Sequence, residues 1–196
     1  MIRESALADP FPPRTVTLPE MLDGPSDHQF RQTIYRFVQA SGRLADCREG
    51  FAREMGLTGN QYVVLMSVAY QQGDTGVGIA AIAANIGLAP THATTEVGRL
   101  VRKGLLDKQP SPVDKRGVLI KLTEQGRTAV TEVSKVVRTI NDLLFQDIDG
   151  AELKTLLSLS ERLVRNSERA LAELRVIGTR HEFSMADNPA TTKDRK

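Results

Sequence analysis

The sequence predicts a mainly α-helical protein that contains one small β-hairpin. Three observations carry this prediction. Apolar residues recur at helical spacing in six segments of the 196-residue chain. Residues 105–122 instead alternate as two short strands around a proline-rich loop. The central helices are short and separated by a glycine, whereas long helices lie before and after them.

The N-terminal part of the chain predicts an arm followed by a long helix. Residues 1–25 have five prolines and little periodicity, so we expect an extended or disordered arm. A long helix is expected to begin near Asp27, because apolar residues from Phe30 to Phe51 fall on one stripe. Thr58 is expected to cap the next helix, with Gln61 completing a capping box. That helix is apolar on nearly all sides, which predicts burial.

Two short helices around a tight turn are predicted at the centre of the chain. Ile79 to Ile86 carries one apolar stripe, Gly87 ends it, and Pro90 suits the first turn of a second helix. That second helix runs to about Lys103, and Gly104 follows it as expected at a helix C-terminus. This arrangement is the helix-turn-helix, whose second helix lies in the DNA major groove.

The outer face of the second helix is the candidate DNA-contacting surface. Ala93, Val97, Leu100 and Val101 are expected to face inward. Thr hydroxyls and methyls and Arg guanidinium groups suit contacts with base edges. The alternative is an ordinary solvated helix face. The candidates on this face are Thr91, His92, Thr94, Thr95, Arg99 and Arg102.

A basic hairpin follows. Residues 105–109 and 118–122 predict strands, and residues 110–117 predict a loop. From Arg99 to Lys121 there are seven basic and two acidic residues, a balance of +5 in a chain whose net charge is +2. Concentrated positive charge is typical of a phosphate-binding surface. The expected phosphate contacts are Lys103, Lys108, Lys115 and Lys121.

Two long helices with rich apolar stripes are predicted after the hairpin. Thr123 is expected to cap the first, and Asp149-Gly150 marks a turn before the second. Both are longer than a small domain needs, so they predict a dimer built from terminal helices. We therefore expect a dimerisation region at 26–55 and 127–177, a DNA-binding domain at 56–126 and a disordered tail at 178–196.

The sequence around the hairpin resembles the MarR family of bacterial winged helix-turn-helix regulators. The resemblance spans roughly residues 30–174, and it rests on Leu100-Val101-Arg102-Lys103-Gly104-Leu105-Leu106, Asp114-Lys115-Arg116-Gly117 and Leu122-Thr123-Glu124-Gln125-Gly126. It implies that Arg116 enters a minor groove and that Asp114 orients it, which fits the attraction of Arg to a narrow groove. It also implies a homodimer.

The resemblance also implies a small-molecule effector, bound between the dimer helices and the winged domain. An aromatic acid is one class of effector that such a cleft would suit. The residues expected to line such a cleft are Arg36, Arg43, Arg48, Tyr62, Met66 and Tyr70. The alternative is that these Tyr and Met residues belong to the core and that the arginines are surface charges.

Several other classes find little support in the sequence. No phosphate loop, nucleophile elbow or His-Glu-x-x-His motif occurs, so we expect neither an enzyme nor a bound cofactor or metal. No apolar run reaches the length of a membrane span. The single cysteine, Cys47, is consistent with a cytoplasmic protein, and we expect an inert thiol there.

The predicted function is that of a ligand-responsive repressor that binds a pseudo-palindromic DNA operator as a homodimer. The competing hypothesis is a winged helix that binds another protein without reading DNA, since one fold hosts several functions. A protein-binding descendant should have lost the positive charge of Arg99 and Arg116, and this sequence retains it.

Overall fold

The structure, a computed structural model, describes residues 11–111 and 117–186, with side chains as far as residue 178. The described chain contains the following elements in order: α1 (His28–Glu54), α2 (Gly59–Gln71), β1 (Val77–Gly78), α3 (Ile79–Ile86), α4 (Pro90–Arg102), β2 (Leu106–Pro110), β3 (Val118–Leu122), α5 (Glu124–Leu144) and α6 (Gly150–Ala186). This confirms the predicted fold class, which is mainly α-helical with a winged helix-turn-helix.

α2 lies at the centre of the core. It begins with the predicted capping box, in which the Thr58 hydroxyl accepts the Gln61 N–H and the Gln61 side chain accepts the Thr58 N–H. Val64, Leu65 and Val68 are fully buried, because α2 packs against α1, α3, α4 and β3. The apolar character of α2 on nearly all sides follows from this position.

The sheet has three strands in the order β1-β3-β2, all antiparallel. Ile120 at the middle of β3 pairs with Val77 on one side and Lys108 on the other, and its side chain is fully buried. β1 was not predicted, because two residues are too few to produce a visible alternation. The buried Gln72 side chain accepts the Leu122 N–H at 2.8 Å, which satisfies a backbone donor at the end of β3.

The joint between α4, β2 and α5 is closely packed. Gly104 has a φ of +73°, and the N–H of Leu105 bonds to the carbonyl of Leu100, which completes a Schellman motif. The Thr123 hydroxyl donates to the Gly104 carbonyl and accepts the Gly126 N–H at 3.0 Å, so it caps α5 as predicted. One threonine therefore connects the end of α4 to the start of α5.

The N-terminal segment is attached to the start of α1. Between residues 11 and 26 it forms several bends, one 3-10 turn at Pro19–Met21 and an isolated antiparallel bridge between Asp23 and Ser26. The Thr15 N–H and hydroxyl both donate to Oδ2 of Asp27, at 2.6 and 2.8 Å, and Oδ1 of Asp27 pairs with Arg31 at 2.7 Å. Near its beginning, the described part of the arm is therefore bonded to a buried carboxylate at the start of α1. Residues 1–10 lie outside the described residues.

This attachment is expected to fail at acidic pH. The Thr15 N–H lowers the pKa of Asp27 below its ordinary value of 3.8, and this effect outweighs burial, which raises the pKa. A carboxyl with a lowered pKa stabilises the fold above its unfolded pKa, and that stability is lost as pH falls through the folded value. Asp27→Asn should therefore accelerate amide exchange at Thr15 at neutral pH. Unchanged exchange in this variant would contradict the role of the carboxylate.

The chain divides into two compact units, Met1–Asp142 and Leu143–Lys196. In the second unit, Asp149 caps α6 by accepting the N–H groups of Ala151 and Glu152. The helix continues to Ala186, so the prediction of a disordered tail from residue 178 is wrong for residues 178–186. Gly178 costs only about 1 kcal/mol in a helix, and good helix formers such as Arg180 and Glu182 follow it. Residues 187–196 lie outside the described part.

Both long C-terminal helices expose apolar side chains. The apolar positions of α6 that stand between 36% and 64% exposed are Leu153, Leu156, Leu157, Leu159, Leu163, Val164, Leu171, Leu174, Val176 and Ile177. On α5, Val136, Leu143 and Leu144 are also exposed. Such faces mark interaction surfaces in soluble proteins. We predicted that these helices and α1 form a dimerisation region. That grouping concerns contacts between subunits, and it stays a prediction.

Candidate nucleic-acid interface

α4 divides sharply into a buried face and an exposed face. Ala93, Val97 and Leu100 are fully buried, whereas Val101 is half-buried. These side chains fix the helix against the core. The exposed face carries Thr91, Thr94, Thr95 and Arg102, with His92 and Arg99 at its edge and Gly98 near its middle. The predicted base-contacting residues therefore share one surface of a helix that is held rigidly.

The turn before α4 sets the direction of this helix. Gly87 adopts a φ of +67°, the left-handed conformation that glycine allows, and Pro90 occupies the first turn. Ala89 stands at the N-cap and offers no side-chain hydrogen bond. As a result, the N-terminal end of α4 lacks a side-chain cap.

The threonine hydroxyls of α4 are already committed as donors. Thr94 Oγ1 donates to the Pro90 carbonyl at 2.8 Å, and Thr95 Oγ1 donates to the Thr91 carbonyl at 3.1 Å. Each hydroxyl therefore presents an acceptor oxygen and a methyl group outward. Acceptor oxygens suit the amino groups of adenine and cytosine, and the methyl groups suit thymine.

Glu96 is a residue that the sequence analysis missed. It is 2% exposed, and its Oε1 lies 2.7 Å from Nη1 of Arg99 and 3.5 Å from Nε2 of His92. Its Oε2 is buried and makes no hydrogen bond with the described residues. Positions 92, 96 and 99 lie on one stripe at the border of the two faces, since their spacing is four and three. This spacing was the available signal.

Gly98 leaves an open area on the exposed face. A Cβ at this position would have no heavy atom within 4 Å, so no intramolecular contact requires the glycine. The Arg102 Nε instead donates to the Gly98 carbonyl at 3.4 Å. Among the described residues, no part of the hairpin comes close enough to position 98 to require a glycine there.

The predicted phosphate contacts differ in their surroundings. Lys108 is exposed on β2, with its N–H bonded to Asp107 Oδ1. Lys103 Nζ donates to the Gly56 carbonyl at 3.2 Å, and Lys121 Nζ donates to the Asp74 carbonyl. These two lysines therefore hold loops of their own chain as well as carrying charge. Asp114, Lys115 and Arg116 lie outside the described residues.

The comparisons with known proteins fit this geometry. The HTH-type transcriptional regulator YhbI of Bacillus subtilis (strain 168) is 27% identical over 108 residues, which are 55% of this chain and 68% of that relative. A family model described as the MarR family matches residues 57–118, from just before α2 to the first residue of β3. This stretch of the chain matches the MarR family. The family resemblance is thereby confirmed, as is the expectation that the chain is not an enzyme.

Solved structures of regulators have the same fold as this chain. CouR from Rhodococcus jostii RHA1 bound to p-coumaroyl-CoA has a TM-score of 0.60 and 23% identity, covering 66% of this chain and 89% of that chain. A cysteine-to-serine mutant of MarR from E. coli complexed with operator DNA has a TM-score of 0.55 and 22% identity, covering 67% and 93%. At these identities the comparison concerns the fold.

The predicted effector-contacting residues lie in different environments. Tyr62 and Met66 are buried core residues, and Tyr62 packs on Phe51 with ring centroids 6.0 Å apart. Burial raises the pKa of Tyr62 above its usual 10.0, so its phenol stays neutral near pH 7. Tyr70 is instead 79% exposed. For Tyr62 and Met66 the structure therefore favours the core alternative.

The three arginines on α1 also differ. Arg36 bonds to Gln39 and lines a groove of about 480 Å³ along α1, and Arg43 pairs with Asp46 at 3.6 Å on the surface. Arg48 is half-buried, and its Nε is buried without a hydrogen bond among the described residues. Among these three arginines, Arg48 has a buried N–H donor that could bind an acceptor group of a ligand.

Other candidate chemistry is sparse in the described residues. Cys47 is half-buried against the core, which is the surrounding expected of an inert thiol. Within residues 11–111 and 117–186, His, Cys, Asp and Glu form no group of three that could hold a metal ion. No described helix is long and apolar enough to cross a membrane.

Proposed function

We propose that this regulator binds a pseudo-palindromic DNA operator as a homodimer and represses transcription in the cytoplasm. The observation that carries the proposal is the exposed face of α4, which is polar and cationic although the opposite face is fully buried. A face made of threonine, glycine and arginine suits a groove lined by base edges. It offers little apolar area to a protein partner.

In this proposal each subunit places α4 in a major groove and the hairpin tip, with Arg116, in the flanking minor groove. A two-fold dimer then requires half-sites about one helical turn apart, centre to centre. The fold shared with a MarR structure complexed with operator DNA supports this docking mode. The exposed apolar positions of α6 support the dimer, since a long helix gains stability by burying such a stripe.

The proposal is tested by fluorescence anisotropy on the DNA upstream of the regulator's own coding sequence, with excess random competitor at near-physiological salt. We expect competitor-resistant binding that Arg116→Ala weakens. Binding that random DNA competes away, unchanged in the variant, would require a genome-wide fragment selection. If that selection also enriched no sequence, the protein-binding hypothesis would replace this one.

Arg99→Ala and Lys108→Ala should have separable effects. If Arg99 contacts a base, its loss should cost about 1–3 kcal/mol on the operator and relax sequence preference. Lys108→Ala should weaken binding to all sequences alike and reduce the salt slope by about one unit. Anisotropy titrations on operator and random DNA at several salt concentrations measure both quantities. Identical profiles for the two variants would contradict this division of roles.

An effector is the second part of the proposal, and an aromatic carboxylate is the class we favour. Arg48 has a buried Nε donor without a partner among the described residues, and a carboxylate is its natural ligand. CouR, which has the same fold, is bound to p-coumaroyl-CoA in its structure. If the effector binds better to a dimer that cannot bind DNA, it lowers the affinity for DNA. Because coupling is reciprocal, DNA must lower the affinity for the effector by the same factor.

Aromatic acids should raise the thermal midpoint of the protein and release the operator in the same concentration range. Arg48→Met should lose both responses while it retains operator binding, because Met keeps the apolar length of the side chain without the cation. A panel of aromatic acids that changes neither quantity would remove the effector from the proposal and leave DNA binding untouched.

A further inference from the structure

Glu96 is the buried charged group that operator binding, as proposed above, does not explain. Its side chain is 2% exposed, and one of its carboxylate oxygens has no partner among the described residues. Burying a carboxylate in this way opposes folding, and an apolar residue of similar volume is often neutral or stabilising at such a place. Residues 93, 97 and 100 on the same buried side are apolar.

The shortest contact of the Glu96 carboxylate is with Arg99, at the edge of the exposed face of α4. Oε1 of Glu96 lies 2.7 Å from Nη1 of Arg99, the distance of a charge-assisted hydrogen bond. Arg99 is 49% exposed, and its Nε and Nη2 groups make no hydrogen bond within the described residues. The guanidinium is therefore held by one nitrogen while its free edge stays in solvent.

This geometry changes what Arg99 can bind. An isolated guanidinium is strongly attracted to phosphate, whereas a guanidinium beside a fixed carboxylate belongs to a pair with no net charge. The pair keeps the two parallel N–H donors that match O6 and N7 of guanine, which are uncharged acceptors. Holding the long side chain before binding also removes part of the entropy cost of ordering it.

We propose that Glu96 is a positioning residue that makes Arg99 a reader of guanine by suppressing its attraction to phosphate. His92, whose Nε2 lies 3.5 Å from the same oxygen, flanks the pair. The inference rests on the proposed operator binding. It assigns sequence discrimination to a residue that has almost no contact with solvent and that never touches DNA.

The test uses Glu96→Gln and Glu96→Met in the full-length protein, with titrations on the selected operator and on random DNA over a range of salt. Both variants release Arg99 as a free cation. We expect the ratio of operator to random affinity to fall at least about tenfold, as for the loss of one specific base contact. On random DNA, binding should tighten at low salt, and the salt slope should steepen by up to about 0.9, the amount for one added phosphate contact.

A merely structural role for Glu96 would produce the opposite pattern. In that case the variants would unfold at lower temperature and lose affinity for both DNAs together. We expect instead that Glu96→Met keeps or raises the thermal midpoint while discrimination falls. If Glu96→Gln folds poorly, Glu96→Met still gives the measurement, because it leaves no buried polar group behind.

The Arg99→Ala background completes the cycle. If Glu96 acts through Arg99, Glu96→Met should change the operator-to-random ratio less than twofold once Arg99 is gone. An unchanged tenfold effect in that background would overturn the inference, as would normal discrimination in both single variants. A wild-type protein that selects no DNA sequence would instead overturn the proposed function itself, so the two failures are distinguishable.

Discussion

Gly126→Ala is expected to destabilise the fold by at least about 3 kcal/mol, the upper part of the range for overpacking. A Cβ on Gly126 would lie 2.1 Å from the carbonyl oxygen of Leu105, a backbone atom. That carbonyl also accepts the Thr123 N–H at 3.1 Å, so it cannot retreat without losing a hydrogen bond. Denaturant unfolding followed by circular dichroism measures the change.

Gly98→Ala is the matched control, because it makes the same chemical change in open space. It should stabilise the fold by up to about 1 kcal/mol through helix propensity. A Gly126→Ala variant as stable as the wild type would mean that α5 does not approach Leu105 as closely as the structure indicates. Equal destabilisation by both alanines would mean that the close approach of Leu105 to position 126 is not what causes the effect.

Val164→Glu is expected to convert the proposed dimer to a monomer and to lower affinity for the proposed operator by about 10²-fold or more. Val164 is 64% exposed near the middle of the apolar stripe of α6. Placing a carboxylate in an apolar interface is costly because the charge loses its hydration without gaining a partner. A monomer also loses the effective concentration that the second half-site gives a linked pair of binding modules.

Ser158→Glu is the matched control for this substitution. It adds the same charge away from the apolar stripe, because the residues three and four positions from it (154, 155, 161 and 162) are all polar, so the proposed dimer and its DNA binding should be retained. Sedimentation velocity measures the oligomeric state, and anisotropy measures operator binding. A Val164→Glu protein that sediments as the wild type would exclude this stripe from the subunit interface.

The caps and turns of the fold could be predicted from the sequence because they depend on neighbouring residues. The capping box at Thr58 and Gln61, the cap at Thr123 and the end of α3 at Gly87 all occur where they were expected. Features that depend on distant residues were not predicted. The segment before α1 is fixed by a hydrogen bond from Thr15 to Asp27, twelve positions away, which no local pattern reveals.

The sequence predicted which residues of α4 are exposed, but it did not predict how they are paired. The threonines and arginines of α4 could be assigned to one face, since helical periodicity alone determines which residues share it. The sequence analysis missed that Glu96 is buried and forms an ion pair with Arg99, because glutamate residues are ordinarily exposed. Similarly, Tyr62 and Met66 were candidates for a ligand cleft, and the packing around α2 places them in the core.

By itself the sequence determined the order of the six helices and the hairpin, the exposed face of α4, the basic charge of the hairpin and the resemblance to the MarR family. These properties follow from periodicity, capping and motif spacing, which act over a few residues. Only the tertiary structure decided which charges are paired and which are free to meet DNA. Burial and ion pairing depend on what packs around a side chain, and the neighbours of Glu96, Lys103 and Gly126 are set by the fold.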